Sequence, residues 1–97
     1  SRVENIKQKP MTEKEWKEKL MQEGFSEVSL GEDPPGLFYP DHAHPVKTVH
    51  VVLEGEMVLT VSGVPHTLKP GDRFDAPTHA VHSAKMGPKG CRYIVAE

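Results

Sequence analysis

The stretch Gly36-Leu37-Phe38-Tyr39-Pro40-Asp41-His42-Ala43-His44-Pro45-Val46-Lys47-Thr48-Val49-His50-Val51-Val52-Leu53-Glu54-Gly55 decides how this chain reads. His42 and His44 stand two apart, and on an extended strand side chains at i and i+2 share a face. His82, which closes the later stretch from Gly71, can bring a third imidazole from another strand. Three neutral imidazoles around a divalent ion leave coordination positions open for water, dioxygen or substrate.

Around this stretch the chain is built for one small β domain. Its 97 residues leave room for a single core, and the 36% hydrophobic content is thin but sufficient. A net charge of −2 with mixed signs gives no footprint for nucleic acid. Cys91 is the only cysteine, which excludes an internal disulfide and fits a reducing compartment. No apolar run approaches the roughly 20 residues that span a bilayer. The polar start, Ser1 to Pro10, lacks the apolar centre of a signal peptide. The expectation is a soluble, cytoplasmic protein with no nucleic-acid or membrane partner.

Two segments are expected. Residues 1–24 form an arm and a short helix, and residues 25–97 form the β domain. Thr12 as N-cap with Glu15 makes a capping box, and Met11 and Trp16 take the staple positions. Trp16 and Leu20 share one face, Glu13/Lys17 and Glu15/Lys19 pair outside, and Gly24 stops the helix. Beyond it the periodicity is two. Strands are expected over 25–30, 37–44, 46–53, 56–62, 73–76, 81–86 and 92–96. Turns are expected at 31–36, Glu54-Gly55, Ser62-Gly63 and 69–72. Many short strands with regular turn signals argue for an all-β sandwich or barrel.

Two blocks then line up. The first runs Gly36, five residues, His42-Ala43-His44, three residues, Thr48, six residues, Gly55. The second runs Gly71, five residues, Pro77-Thr78-His79, two residues, His82. Over about residues 36–86 the chain resembles a single-domain cupin, the double-stranded β-helix barrel of the RmlC-like superfamily. The resemblance implies an all-β, jelly-roll-like barrel with one short N-terminal helix, and pairing as a homodimer. It also implies His42, His44 and His82 as metal ligands. The family's glutamate ligand is replaced here by Thr48, so the site offers three neutral donors and no carboxylate. Sites of that kind resemble those of certain non-haem iron dioxygenases. The expected cofactor is therefore Fe2+, with Mn2+, Ni2+, Cu2+, Co2+ or Zn2+ as alternatives, and the expected partner is a small oxygen-rich molecule.

His50, two beyond Thr48, falls on the same face and is the candidate catalytic acid/base. It is also open to a role as a fourth ligand or a plain lining residue. His79 replaces the family's turn glycine and is read as a loop adaptation, while His66 is read as solvent-facing. Tyr39, Tyr93 and Phe74 are read as core, Cys91 as an inert filler, and Arg73/Asp75 as an outer-face or interface pair. The leading expectation is an iron(II) dioxygenase. A non-catalytic binding or sensor barrel is the rival, and a sugar isomerase or epimerase is a third reading, weakened by having only three arginines.

Overall fold

Helix α1, Glu13–Gln22, begins where its cap residues dictate. The computed structural model describes residues 10–97, so the expected N-terminal arm lies almost wholly outside the described residues. Glu15 N–H donates to Thr12 Oγ1 at 3.1 Å, and Thr12 N–H donates back to Glu15 Oε1 at 2.9 Å. That commitment frees Lys19, which pairs with Glu23 at 3.2 Å instead of the expected Glu15. Glu13 and Lys17 pair as expected, at 3.0 Å. Trp16 and Leu20 form the buried face of the helix. Each such side chain contributes about 1.5–3 kcal/mol on full burial.

Six antiparallel strands follow: β1 Val28–Asp33, β2 Phe38–His42, β3 Thr48–Val61, β4 Val64–Leu68, β5 Arg73–Ala76 and β6 His82–Ala96. The expected breaks near Glu54-Gly55 and within 87–91 are absorbed into two long strands. β3 and β6 pair with each other along most of their length, with register shifts between Val52 and Met57. These bulges bend the strands without ending them. Gly55 is required at the bend. Its φ is 77°, and a Cβ there would meet the Gly90 carbonyl oxygen at 2.1 Å. The first strand starts later than expected and continues through Gly31 to Asp33, because each residue finds a partner on β6.

At its two ends β3 meets different neighbours, β5 over Thr48–Val51 and β4 over Met57–Val61. β6 does likewise, with β2 near residues 82–85 and β1 over 91–96. The alternation of side chains therefore sorts two cores. Val49, Val51, Ile94 and Ala96 face outward and receive Trp16 and Leu20. Val52, Met57, Leu59, Ala84, Met86 and Tyr93 face the interior. The inward series Thr48-His50-Val52 runs into that interior, and all three are buried.

Arg73 fastens the helix to the barrel. Its guanidinium makes a fork with Glu23 at 2.7 and 2.8 Å and also contacts Asp75 at 2.8 Å. Lys47 adds an ion pair to Asp75 at 2.8 Å. The expected outer-face pair is thus a bracket between sheet and helix terminus. Arg92 makes a second such contact, with Glu13.

Candidate metal centre

The strand ends bring three histidines together. His42 closes β2 directly opposite His82, the first residue of β6. His44 lies beyond the end of β2 in the bend before β3, so the face it shares with His42 comes from that bend as much as from strand alternation. Its carbonyl accepts from the His79 N–H at 2.8 Å, which ties the mouth loop to this bend. Ring centroids are separated by 4.3 Å for His42 and His82, 5.0 Å for His42 and His44, and 5.3 Å for His44 and His82. One nitrogen from each lies within 4.8 Å of the others.

The outer nitrogens decide what the inner ones can do. His42 Nδ1 lies 2.8 Å from the Pro40 carbonyl, and His82 Nδ1 lies 3.2 Å from that of Ala80. A carbonyl only accepts, so each Nδ1 carries the proton and each Nε2 keeps its lone pair. His82 Nε2 is buried with no protein partner. This outer hydrogen bonding is the pattern that orients metal-ligating imidazoles. Two nitrogens about 2.1 Å from one ion stand at most about 4.2 Å apart, a spacing comparable with the 4.8 Å within which these three nitrogens lie. The donor set fits a divalent transition ion.

The cluster opens on a cavity of about 160 Å³ lined by Thr48, His50, Met57, Met86, Tyr39 and Tyr93 among others. Thr48 is buried and lines the same cavity. Burial and the three neighbouring imidazoles hold His50 down to about 4, so its ring is neutral at pH 7. Its Nδ1 is buried and unpaired, and its ring centroid is 5.7 Å from that of His82. Burial also lowers His82 from the ordinary histidine range. The donor cluster does not include His50.

Of the two tyrosines read as core, Tyr93 does belong to the buried interior cluster and also lines this cavity, whereas Tyr39 lines it without being buried. Both donate their hydroxyls to Asp33 Oδ2, at 2.9 and 2.6 Å, and burial followed by this bonding raises Tyr93 far above the usual phenol range. The Tyr93 ring lies across Gly31, where an added Cβ would meet it at 2.5 Å. Their inward phase on β2 and β6 was visible as alternation; their convergence on Asp33 depends on the β1–β6 register. Glu97, at the end of β6, also lines the cavity, with Oε1 3.5 Å from His44 Nδ1. His79 holds a left-handed backbone, φ 64°, where the turn wants glycine. His66 is half-buried against the Phe74 ring, 4.4 Å away, and so is less exposed than expected. Cys91 is buried away from the histidines, and burial pushes its thiol up to about 11, which leaves it unreactive.

The chain belongs to the cupin-domain family, whose model matches residues 29–96. It is 32% identical over 66 residues to the dimethylsulfoniopropionate lyase DddW of Ruegeria pomeroyi, covering 68% of this chain and 43% of that protein. A second lyase of that organism, DddQ, is 36% identical over 53 residues, covering 54% of this chain and 26% of that one. The chain therefore spans less than half the length of either curated relative. Among solved structures, an RmlC-like cupin from Shewanella frigidimarina matches with a TM-score of 0.63 and 33% identity, over 72% of this chain and 64% of that one. The protein is a cupin with three histidines placed to hold a metal ion. No helix among the described residues is long and apolar enough to cross a membrane.

Proposed function

We propose that this barrel is a metal-dependent lyase that eliminates a β-substituent from a small carboxylate, a reading supported by its likeness to two dimethylsulfoniopropionate lyases. The observation that carries the reading is the unpaired, buried Nδ1 of His50 in the same cavity as three convergent imidazoles. Fe2+, or another divalent ion held by His42, His44 and His82, supplies Lewis acidity and uncompensated positive charge for a substrate carboxylate. His50, neutral at pH 7, accepts the proton from the carbon beside that carboxylate. The electron pair of that bond forms the new double bond, and the carbon–sulfur bond breaks with its pair going to sulfur. A sulfonium thus leaves as a neutral sulfide, and the step needs no oxidant.

The remaining lining suits such a substrate. Tyr39 and Tyr93 commit their protons to Asp33, so their ring faces and oxygen lone pairs are available to a cationic end. Met57 and Met86 keep water from the carbon chain. Thr48 leaves room beside the histidines.

The dioxygenase is the second reading, favoured by a three-histidine set without carboxylate. Anaerobic assay separates the two. Protein loaded with Fe2+ and given dimethylsulfoniopropionate without oxygen is expected to release dimethyl sulfide and acrylate. His50→Ala should retain the metal while losing 10²–10⁴-fold in kcat. Failure to turn over any β-substituted propionate anaerobically, with oxygen consumed on adding chelating acids, would transfer the assignment to the dioxygenase. Metal uptake without turnover in either assay would leave the binding barrel. Action as a cytoplasmic homodimer belongs to the same proposal. The exposed apolar side chains Leu37 and Phe38, at the start of β2, are the surface it would cover.

A further inference from the structure

We infer that Glu97 is the positioning carboxylate of this centre, holding His44 in the ligating tautomer and returning, from one layer out, the negative charge that Thr48 does not supply. The inference rests on the metal-centre reading above, and its first observation is a missing part. His42 and His82 each have a carbonyl that takes the Nδ1 proton, from Pro40 and Ala80. His44 Nδ1 meets an oxygen different in kind: Glu97 Oε1, an ion-pair contact at 3.5 Å. The three histidines therefore share one arrangement, an oxygen behind each outer nitrogen, but only His44 has a charged one.

The backbone holds Glu97 in place for this task. Its N–H donates to the Glu27 carbonyl at 2.9 Å, and its own carbonyl accepts from the Glu27 N–H at 3.1 Å. These bonds prolong the β1–β6 register by one pair and keep Glu97 on the inward face shared by Tyr93 and Val95. His44 is fixed from the other side by the His79 N–H. Among the described residues lining the cavity, Glu97 is the sole acid. Its oxygens stand outside the group of donors lying within 4.8 Å of one another, so it acts through the imidazole and does not replace it.

The chemical consequence follows from charge. A carboxylate accepting from Nδ1–H fixes the Nε2 lone pair toward the centre and raises the basicity of that nitrogen more than a carbonyl does. With three neutral donors and no inner carboxylate, this is where the site can still stabilise a dication without filling an inner position. The coordination positions stay open for substrate.

The test needs two variants and two readouts. In metal-free, ¹⁵N-labelled protein the ring-nitrogen shifts of His44 should report the Nδ1–H tautomer. Glu97→Ala should convert it to a mixture, whereas Glu97→Gln, which keeps an acceptor oxygen, should retain it. Zinc affinity, read by competition with a chromophoric chelator, should fall 10–100-fold in Glu97→Ala. It should fall about threefold or more in Glu97→Gln, which removes only the charge. Glu27→Gln, whose contribution to Glu97 is through the backbone, should match the parent in both readouts. An unchanged His44 tautomer in Glu97→Ala, or zinc affinity within twofold of the parent in both variants, would overturn the inference. If Glu97→Ala does not fold, unchanged affinity in Glu97→Gln overturns it alone. A parent protein that takes up no zinc would remove the metal-centre reading, and the tautomer of the metal-free protein would still decide whether Glu97 holds His44.

Discussion

His79 donates its backbone N–H to the carbonyl of His44 at 2.8 Å while standing in the left-handed region at φ 64°. The loop at the barrel mouth is thereby strained at the same residue that bonds it to a candidate ligand. A β-branched side chain is the worst occupant of that backbone region. His79→Val should destabilise the fold by about 1–2 kcal/mol, whereas His79→Gly should not, because glycine adopts this conformation freely. Thermal melts of the two variants check this, and equal losses would mean that the side chain, not the backbone, sets the cost.

The Arg73 bracket predicts an acid limb. Hydrogen bonding to the guanidinium holds Glu23 and Asp75 down to about 2, below their ordinary values of 4.5 and 3.8. Carboxyls depressed in the folded state contribute stability above their unfolded values and lose it as pH falls through the folded ones. Stability should therefore decline between about pH 4.5 and 2, and Arg73→Gln should flatten that decline. Both carboxylates are largely solvated, so the effect is modest and salt-sensitive. Urea melts across this range at low and high salt check the sign.

Thr48, which the resemblance aligns with the family's glutamate ligand, is buried and lines the same cavity as the three imidazoles. Thr48→Glu should tighten divalent-metal binding about tenfold or more by adding a charged donor. It should also reduce the room left for substrate. Isothermal titration with Zn2+ or Co2+ checks the first effect. Unchanged affinity with native circular dichroism would show that residue 48 does not point at the ion.

Much of this architecture was legible because local and global signals agree. Thr12 and Glu15 announce the helix start through their own hydrogen bonds, and the spacing of Trp16 and Leu20 announces which face is buried. The inward phase of His42, Thr48, His50 and His82 follows from period-two alternation joined to the cupin blocks. Other features depended on pairing that no short window contains. Glu54-Gly55 reads as a turn, yet β6 pairs past it and converts it to a bulge. Tyr39, Tyr93 and Glu97 carry no metal-site signal of their own. Tyr39 reaches the cavity through the β2–β6 pairing, and Tyr93 and Glu97 are held there where β1 closes on the end of β6, which sets Tyr93 across Gly31 and pairs Glu97 with Glu27.

The most direct measurement is elemental analysis of the untagged protein, purified without chelator, beside His82→Ala. His82 is buried, and its unpaired Nε2 is the least replaceable donor of the three. The account predicts near-stoichiometric divalent transition metal in the parent, as isolated or after anaerobic loading with Fe2+. It predicts at least a tenfold loss in a His82→Ala variant that keeps its fold. Metal bound equally by both proteins, or by neither under any loading condition, would contradict it.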